Sequence, residues 1–247
     1  MHTQIEITTA CNANCFYCAQ DTLMHTHMSW ECFEAILHSE RRPTTLLLQG
    51  TGEPLLHPLF WKMTAFAKER MHRISIITNG SLPIEPKHLF LLDEIGFSLD
   101  TLDEEIAKRS GRTSPSQTIK HLLACHDLAP KKIKLYAVNY GQALAPLRAF
   151  AKEHHLPLTI QNLQPKKSYQ AHYKTKPLPY TLFQCSYLEH EKMRYYFVDG
   201  SKAPCPFMIN ATNVLPTAQI KQHLAQKNVP SCCTQCGELT GLKRLYM

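Results

Sequence analysis

Residues 4–18, QIEITTACNANCFYC, decide how the rest of the chain is read. A short β-branched run, Gln4–Thr8, leads directly into Cys11-x3-Cys15-x2-Cys18. Three thiolates this close can converge on one soft metal centre, but three do not complete the tetrahedral site of a structural zinc ion. A zinc reading needs His25 or His27 as the fourth ligand. An iron–sulfur cluster held by three cysteines instead leaves one iron open, and the missing ligand becomes a position for a small molecule.

Outward from this loop, β-like runs recur at Gln4–Thr8, Thr45–Leu48, Arg73–Thr78, Gly96–Leu99, Ile133–Asn139 and Pro157–Leu163. Helix-like stretches fall between them, near 29–40, 58–71, 85–94, 103–127 and 143–155. Strands alternating with helices imply βαβ units, hence an α/β fold with a parallel sheet and helices outside. Six such units end near residue 165. That is too few for a closed eight-unit barrel, so an open, partial (β/α)6 barrel is expected over residues 1–165. Residues 164–180 carry three prolines and four lysines with no apolar periodicity, and 166–184 reads as a linker. Residues 185–247 are expected to form a small α+β domain. In it Asp199-Gly200, a pair suited to a φ > 0 turn, joins Met193–Val198 to Ser201–Cys205 as a hairpin, and a helix-like stretch lies near 217–227.

The cysteine spacing, with Tyr17 just before the third cysteine, resembles the signature of the radical S-adenosylmethionine (radical SAM) enzymes. Other motifs of that family follow in order at the ends of successive strands. Gly50-Thr51-Gly52-Glu53-Pro54 is similar to the family's GGEP turn, with Thr51 where glycine is commoner. Thr78-Asn79-Gly80 ends the third strand, Ser98-Leu99-Asp100 the fourth, with Arg109 following, and Asn139 the fifth. Each has a local alternative: a helix-opening proline with an acid on the N-terminal dipole, a turn pair, a helix cap, a solvated arginine. The ordered set is more specific than any one of them, and a structural metal module has no use for it.

The resemblance implies a [4Fe–4S] cluster on Cys11, Cys15 and Cys18, its open iron chelated by the amino and carboxylate groups of SAM. It implies that Glu53 accepts from the methionine ammonium, with the Thr51-Gly52 backbone close by and Asn79 in the same binding set. Ser98 and Arg109 would hold the methionine carboxylate, the latter through its planar fork of donors. Tyr17 would contact the adenine through its backbone or ring, Leu163 the adenine face and Asn139 the ribose. One electron from a reductant such as flavodoxin or ferredoxin would split SAM into methionine and a 5′-deoxyadenosyl radical. That radical would remove a hydrogen from a substrate held over the barrel mouth.

A second cysteine group lies downstream: Cys185-x14-Gly200-x4-Cys205, then Cys233-x2-Cys236 beside Cys232. Four thiolates suit zinc as well as iron. The spacing falls inside the pattern of the SPASM and twitch extensions, which carry auxiliary iron–sulfur clusters in some radical SAM enzymes. No cysteine follows Cys236, so the shorter twitch type with one auxiliary cluster is expected. Its ligands are read as Cys185, Cys205, Cys233 and Cys236, with Cys232 as the alternative to Cys233. Four protein ligands saturate a cluster and suit electron relay rather than substrate binding.

The 247 residues carry a formal +7 charge and 44% apolar residues, which excludes a disordered or collagen-like chain. No apolar run approaches a bilayer span, and residues 1–9 lack the features of a secretory signal. A cytoplasmic location is expected, where thiols stay reduced. Cys32 and Cys125, in helix-like patterns, read as small buried apolar residues. Peptide or protein modification is the first expectation for the substrate, since twitch and SPASM relatives include such maturases. No leader-gripping module is expected ahead of the first strand. The alternatives are oxidation of a small-molecule alcohol, as in the butirosin-pathway dehydrogenase, and RNA modification. For RNA, Lys166, Lys167, Lys174 and Lys176 interleave with Tyr169 and Tyr173. Gln161 and Gln164 should face the mouth; no residue is assigned as catalytic acid or base.

Overall fold

The computed structural model describes residues 2–18, 25–40, 43–163, 182–185, 187–188, 193–205, 207, 215–226, 228–234, 236 and 238–242. The stretch read as a linker, up to residue 181, lies outside them, as do Gln164 and the interleaved lysines and tyrosines. The first part of the chain runs β1 (His2–Ile5), α1 (Trp30–Ser39), β2 (Thr45–Leu48), α2 (Phe60–Glu69), β3 (Arg73–Thr78), β4 (Glu94–Ser98). It continues α3 (Glu104–Ser110), α4 (Pro115–Leu128), β5 (Ile133–Asn139), α5 (Ala145–Glu153), β6 (Leu158–Asn162). After it come β7 (Leu182–Cys185), β8 (Met193–Tyr196), β9 (Lys202–Ala203), α6 (Thr217–Ala225) and β10 (Leu239–Leu242).

Strands β1 to β6 pair in sequence order, all parallel. The sheet then continues past β1 into β8, parallel to it, and β9, antiparallel to β8. Its order, β6-β5-β4-β3-β2-β1-β8-β9, leaves it open, as six units cannot close a barrel. The alternation of side chains along a strand explains the packing. Ile5, Leu46, Leu48, Ile74, Ile76, Ile95, Phe97 and Leu135 point outward and are buried against Phe33 and Leu37 of α1, Phe60 and Met63 of α2, and Leu122 of α4. At roughly 25 cal/mol per Å² of apolar surface, this layer dominates the stability. Cys125 belongs to this core and Cys32 packs against it half-buried. No helix among the described residues is long and apolar enough to cross a membrane.

Two helix-like stretches differ from expectation. The segment 103–127 is two helices, because Gly111 takes φ 75° and ends α3 in a left-handed cap, and Ser114 and Pro115 restart the chain as α4. The segment 85–94 holds only a 3-10 turn, Pro86–Leu91. Asp93 then accepts from the Ile74 amide at 2.8 Å and pairs with Lys68, which carries the chain into β4 already at Glu94.

The hairpin forms around Asp199-Gly200, with Gly200 at φ 83°. Its first strand serves two cores. Tyr196 and Val198 pack on the main one, while Tyr195 and Phe197 belong to a second cluster with Leu188, Cys205, Ile220 and Leu224. β7 and β10 form a separate antiparallel pair in which Cys185 faces Leu239.

Candidate active site

The loop after β1 is clamped at both ends. On one side Met28 N donates to Ile7 O at 2.8 Å and Thr9 N to Thr26 O at 3.0 Å. On the other, Asn14 N donates to Gly111 O at 2.9 Å and Phe16 N to Ser110 O at 3.1 Å. Cys18 N closes a turn onto Cys15 O at 2.9 Å. Held so, the thiols of Cys11, Cys15 and Cys18 open onto one cavity of about 220 Å³ at the carboxyl ends of the strands. Burial pushes the Cys11 and Cys15 thiols up, so ionising them calls for a positive partner, a role a bound iron would fill. His27 does not line the cavity; its Nδ1 lies 2.9 Å from the Thr8 hydroxyl and its ring edge-on to His57. Among the described residues no three His, Cys, Asp or Glu side chains close on a position for a single metal ion.

The turn after β2 forms the second wall. A Cβ on Gly52 would lie 2.5 Å from Thr8 O and 2.6 Å from Ala10 O, so only glycine lets the turn pack on the loop. Glu53 is buried, with Oε1 accepting from Thr78 Oγ1 at 2.8 Å and Leu55 N at 3.1 Å, and Oε2 from Asn79 N at 2.6 Å. The carboxylate thus joins two strand ends and keeps one lone-pair position for a ligand. Thr51 donates both its amide and its hydroxyl to Glu6 Oε1 at 2.8 Å, a use of that side chain that glycine lacks. Gln49 Oε1 is buried without a hydrogen-bond partner, and its residue lines the cavity. Three sulfurs, a glycine-tightened turn and an orphan acceptor fit a cluster with an open iron and a polar ligand on it.

Glu6 is 1% exposed, and burial raises its pKa above the ordinary 4.5 in spite of hydrogen bonds from Thr51 and Tyr195. A carboxyl raised in the fold stabilises it while protonated, and that contribution is lost as pH rises through the folded value. Glu6→Gln keeps an acceptor oxygen and cannot ionise. Its Tm is therefore expected to gain on wild type as pH rises above 4.5, until the folded wild type has itself lost the proton. The gain accrues at about 1.4 kcal/mol for each pH step over which folded wild type still holds a proton that its unfolded chain has released. A difference that stays flat over this range contradicts the assignment.

The third wall holds Arg112, the residue that sequence reasoning missed. Arg112 donates through Nε to Asp100 Oδ2 at 2.8 Å and through Nη2 to Oδ1 at 3.4 Å. Tyr17 OH donates to the same Oδ2. Arg112 lines the cavity, whereas Arg109 lies exposed in the last turn of α3 and is not brought to it. The reason is the left-handed cap at Gly111, which reverses the chain and turns the next residue inward. Asp100 caps no helix; the cap of α3 is Asp103.

Ser98, Asn79, Thr51 and Tyr17 line the cavity. Asn139 does not: its Nδ2 donates to Asn162 Oδ1 at 3.1 Å and its carbonyl accepts from Leu163 N at 3.3 Å. Leu163 is buried against Cys15 and Tyr17. Gln161 is exposed.

The second cysteine group also comes together. Cys185, Cys205, Cys232, Cys233 and Cys236 line one enclosed space of about 20 Å³ beside Tyr187, Phe207 and Glu238. This is one water's worth of room, so a cluster there requires the thiols to swing outward. The Cys232 and Cys233 sulfurs lie 3.9 Å apart, and burial, then the neighbouring Cys232, pushes the Cys233 thiol up. No cysteine is in a disulfide.

The chain is 28% identical over 189 residues to GTP 3′,8-cyclase of Chlorobaculum tepidum, covering 68% of this chain and 55% of the relative. It is 30% identical over 123 residues to an S-adenosylmethionine-dependent nucleotide dehydratase of Selenomonas ruminantium, covering 47% and 44%. The chain thus spans about half the length of these curated relatives. Among solved structures, SuiB of Streptococcus suis bound to S-adenosylmethionine superposes with a TM-score of 0.67 at 16% identity, over 91% of this chain and 64% of that one. BtrN in complex with AdoMet and 2-DOIA gives 0.52 at 14% identity, over 96% and 92%. The profile of the radical SAM superfamily matches residues 5–143, more than half of the chain. This protein therefore belongs to the radical SAM superfamily, an enzyme class defined by a [4Fe–4S] cluster and SAM.

Proposed function

We propose that Cys11, Cys15 and Cys18 hold the SAM-binding cluster and that the enzyme modifies a peptide or protein, with a second cluster on the late cysteines relaying an electron. The observation that carries the first part is the opening of all three thiols, the Gly50–Glu53 turn and Ser98 onto one cavity. When bound, the cluster and SAM together supply one-electron cleavage to a 5′-deoxyadenosyl radical, which abstracts hydrogen from the substrate. This chain's own residues bind and orient. The Thr51-Gly52 backbone and the remaining lone pair of Glu53 receive the methionine ammonium, and Ser98 faces its carboxylate. Asn79 closes the wall, Tyr17 and Leu163 cover the adenine side, and Asn139, outside the cavity, would have to turn from Asn162 to meet the ribose. Leu163, Tyr17 and Phe16 exclude water from that side.

For the auxiliary cluster the support is the meeting of five cysteines from three chain segments. Replacing both Cys185 and Cys205 by Ala is expected to lower the iron of anaerobically prepared protein from about eight to about four per chain. An unchanged count contradicts it.

Support for a peptide comes from the likeness to SuiB, itself solved with the precursor peptide SuiA. A second reading, a small-molecule substrate, draws on the nucleotide-directed names of the two curated relatives and on BtrN. The two separate in one experiment. Extract from cells grown in deuterated medium is split by ultrafiltration and offered with SAM and reductant. Deuterium entering 5′-deoxyadenosine from the protease-sensitive retentate supports a peptide. Label from the filtrate alone supports a small molecule, and ribonuclease-sensitive label an RNA.

A further inference from the structure

We propose that Arg112, through its contact with Cys15 and its pairing with Asp100, sets the reduction potential of the SAM-binding cluster. Arg112 Nη1 lies 3.8 Å from Cys15 Sγ, a hydrogen-bond distance for sulfur. The guanidinium cannot turn away. Asp100 grips its Nε and Nη2, and the Asp100 side chain is 0% exposed. Asp100 is fixed in turn by Tyr17 OH on one oxygen and by Val138 N at 2.8 Å on the other. The Asp100 carbonyl accepts from Gln142 Nε2 at 3.0 Å.

Guanidinium stays charged at any working pH, so a permanent cation is held beside one ligand sulfur with 13% side-chain exposure. Iron–sulfur potentials respond to hydrogen bonds on sulfur and to local net charge. A donor and a positive charge at Cys15 favour the reduced, more negative cluster. The carboxylate of Asp100 offsets part of that charge. Cys11 receives neutral donors instead, Ala13 N at 3.5 Å and Asn79 Nδ2 at 3.8 Å. The ligands are therefore unequal, and the charged contact at Cys15 is the larger lever.

This inference rests on the three cysteines being cluster ligands. Its test is an anaerobic redox titration of the reconstituted full chain, followed by the reduced-cluster EPR signal that changes when SAM is added. Arg112→Gln is expected to lower the midpoint, with at least a tenfold smaller reduced fraction at fixed potential, about 59 mV for a one-electron couple. Asp100→Asn, which keeps the shape and removes the opposing charge, is expected to raise it. Arg112→Lys should stay nearer wild type than Arg112→Gln. Residues that merely brace the loop have no reason to shift the midpoint in opposite directions. Unchanged midpoints, or shifts of one sign in both variants, overturn the proposal. If Arg112→Gln fails to hold a cluster, Asp100→Asn decides alone: a rise supports the proposal, and no change or a fall overturns it. Wild type that binds no iron overturns the cysteine assignment itself.

Discussion

Cys15→Ala is expected to lose about four irons per chain after anaerobic reconstitution and to cleave SAM no faster than a protein-free control. Cys15 is the most buried of the three loop cysteines, at 6% exposure, and its thiol sits between Gly111 O and the Arg112 guanidinium. No other thiol lines that cavity besides Cys11 and Cys18, so none can replace it. The substitution also leaves Arg112 without its sulfur partner, although Asp100 still neutralises it, so the fold should survive. Iron analysis and chromatographic assay of 5′-deoxyadenosine check both halves. Full iron with normal cleavage would remove Cys15 from the cluster.

Gly111→Ala is expected to have nearly as large an effect without touching a ligand. A Cβ there would lie 1.8 Å from Asn14 O and 2.5 Å from Asn14 C, and both are backbone atoms that no rotamer can move. The left-handed φ of 75° adds about 1–2 kcal/mol for any L side chain. To escape the clash, the loop must give up the bonds from Asn14 N to Gly111 O and from Phe16 N to Ser110 O. Those bonds hold Cys15 in place, so Tm and the iron of the SAM-binding cluster should fall together. Gly141→Ala is the control. Its φ is 107°, but a Cβ there meets nothing within 4 Å, so only the backbone penalty applies and iron content should not change. Equal losses in the two variants would show that the contact with the cysteine loop carries no weight.

Much of the fold was legible from short-range signals. Strands β2, β3 and β5 fall where the β-branched and Leu-rich runs place them, because each run is bounded by turn residues and its outward side chains meet a helix. The cavity was legible as well, since parallel strands deliver their carboxyl ends to one side and the motifs stand at those ends. Arg112 was not. Which of two arginines three residues apart turns inward depends on the break between α3 and α4, and the helical periodicity of 103–127 concealed it. The pair Gly111-Arg112, with Ser114-Pro115 after it, was the available signal for a stop and restart. Glu53 was legible as a residue type and only in part as a role, because two of its three intrachain donors, the Thr78 hydroxyl and Asn79 N, come from the end of β3, and only Leu55 N is local. Pairing of β8 beside β1 and of β10 with β7 joins segments far apart in sequence, and no local pattern announces such contacts.

The most direct measurement uses wild-type protein purified and reconstituted without oxygen, mixed with SAM and a strong one-electron reductant. A brown protein that releases methionine and 5′-deoxyadenosine in equal amounts is the predicted result. Colourless protein, or a coloured one that leaves SAM intact, would contradict the assignment of Cys11, Cys15 and Cys18 to a SAM-cleaving cluster.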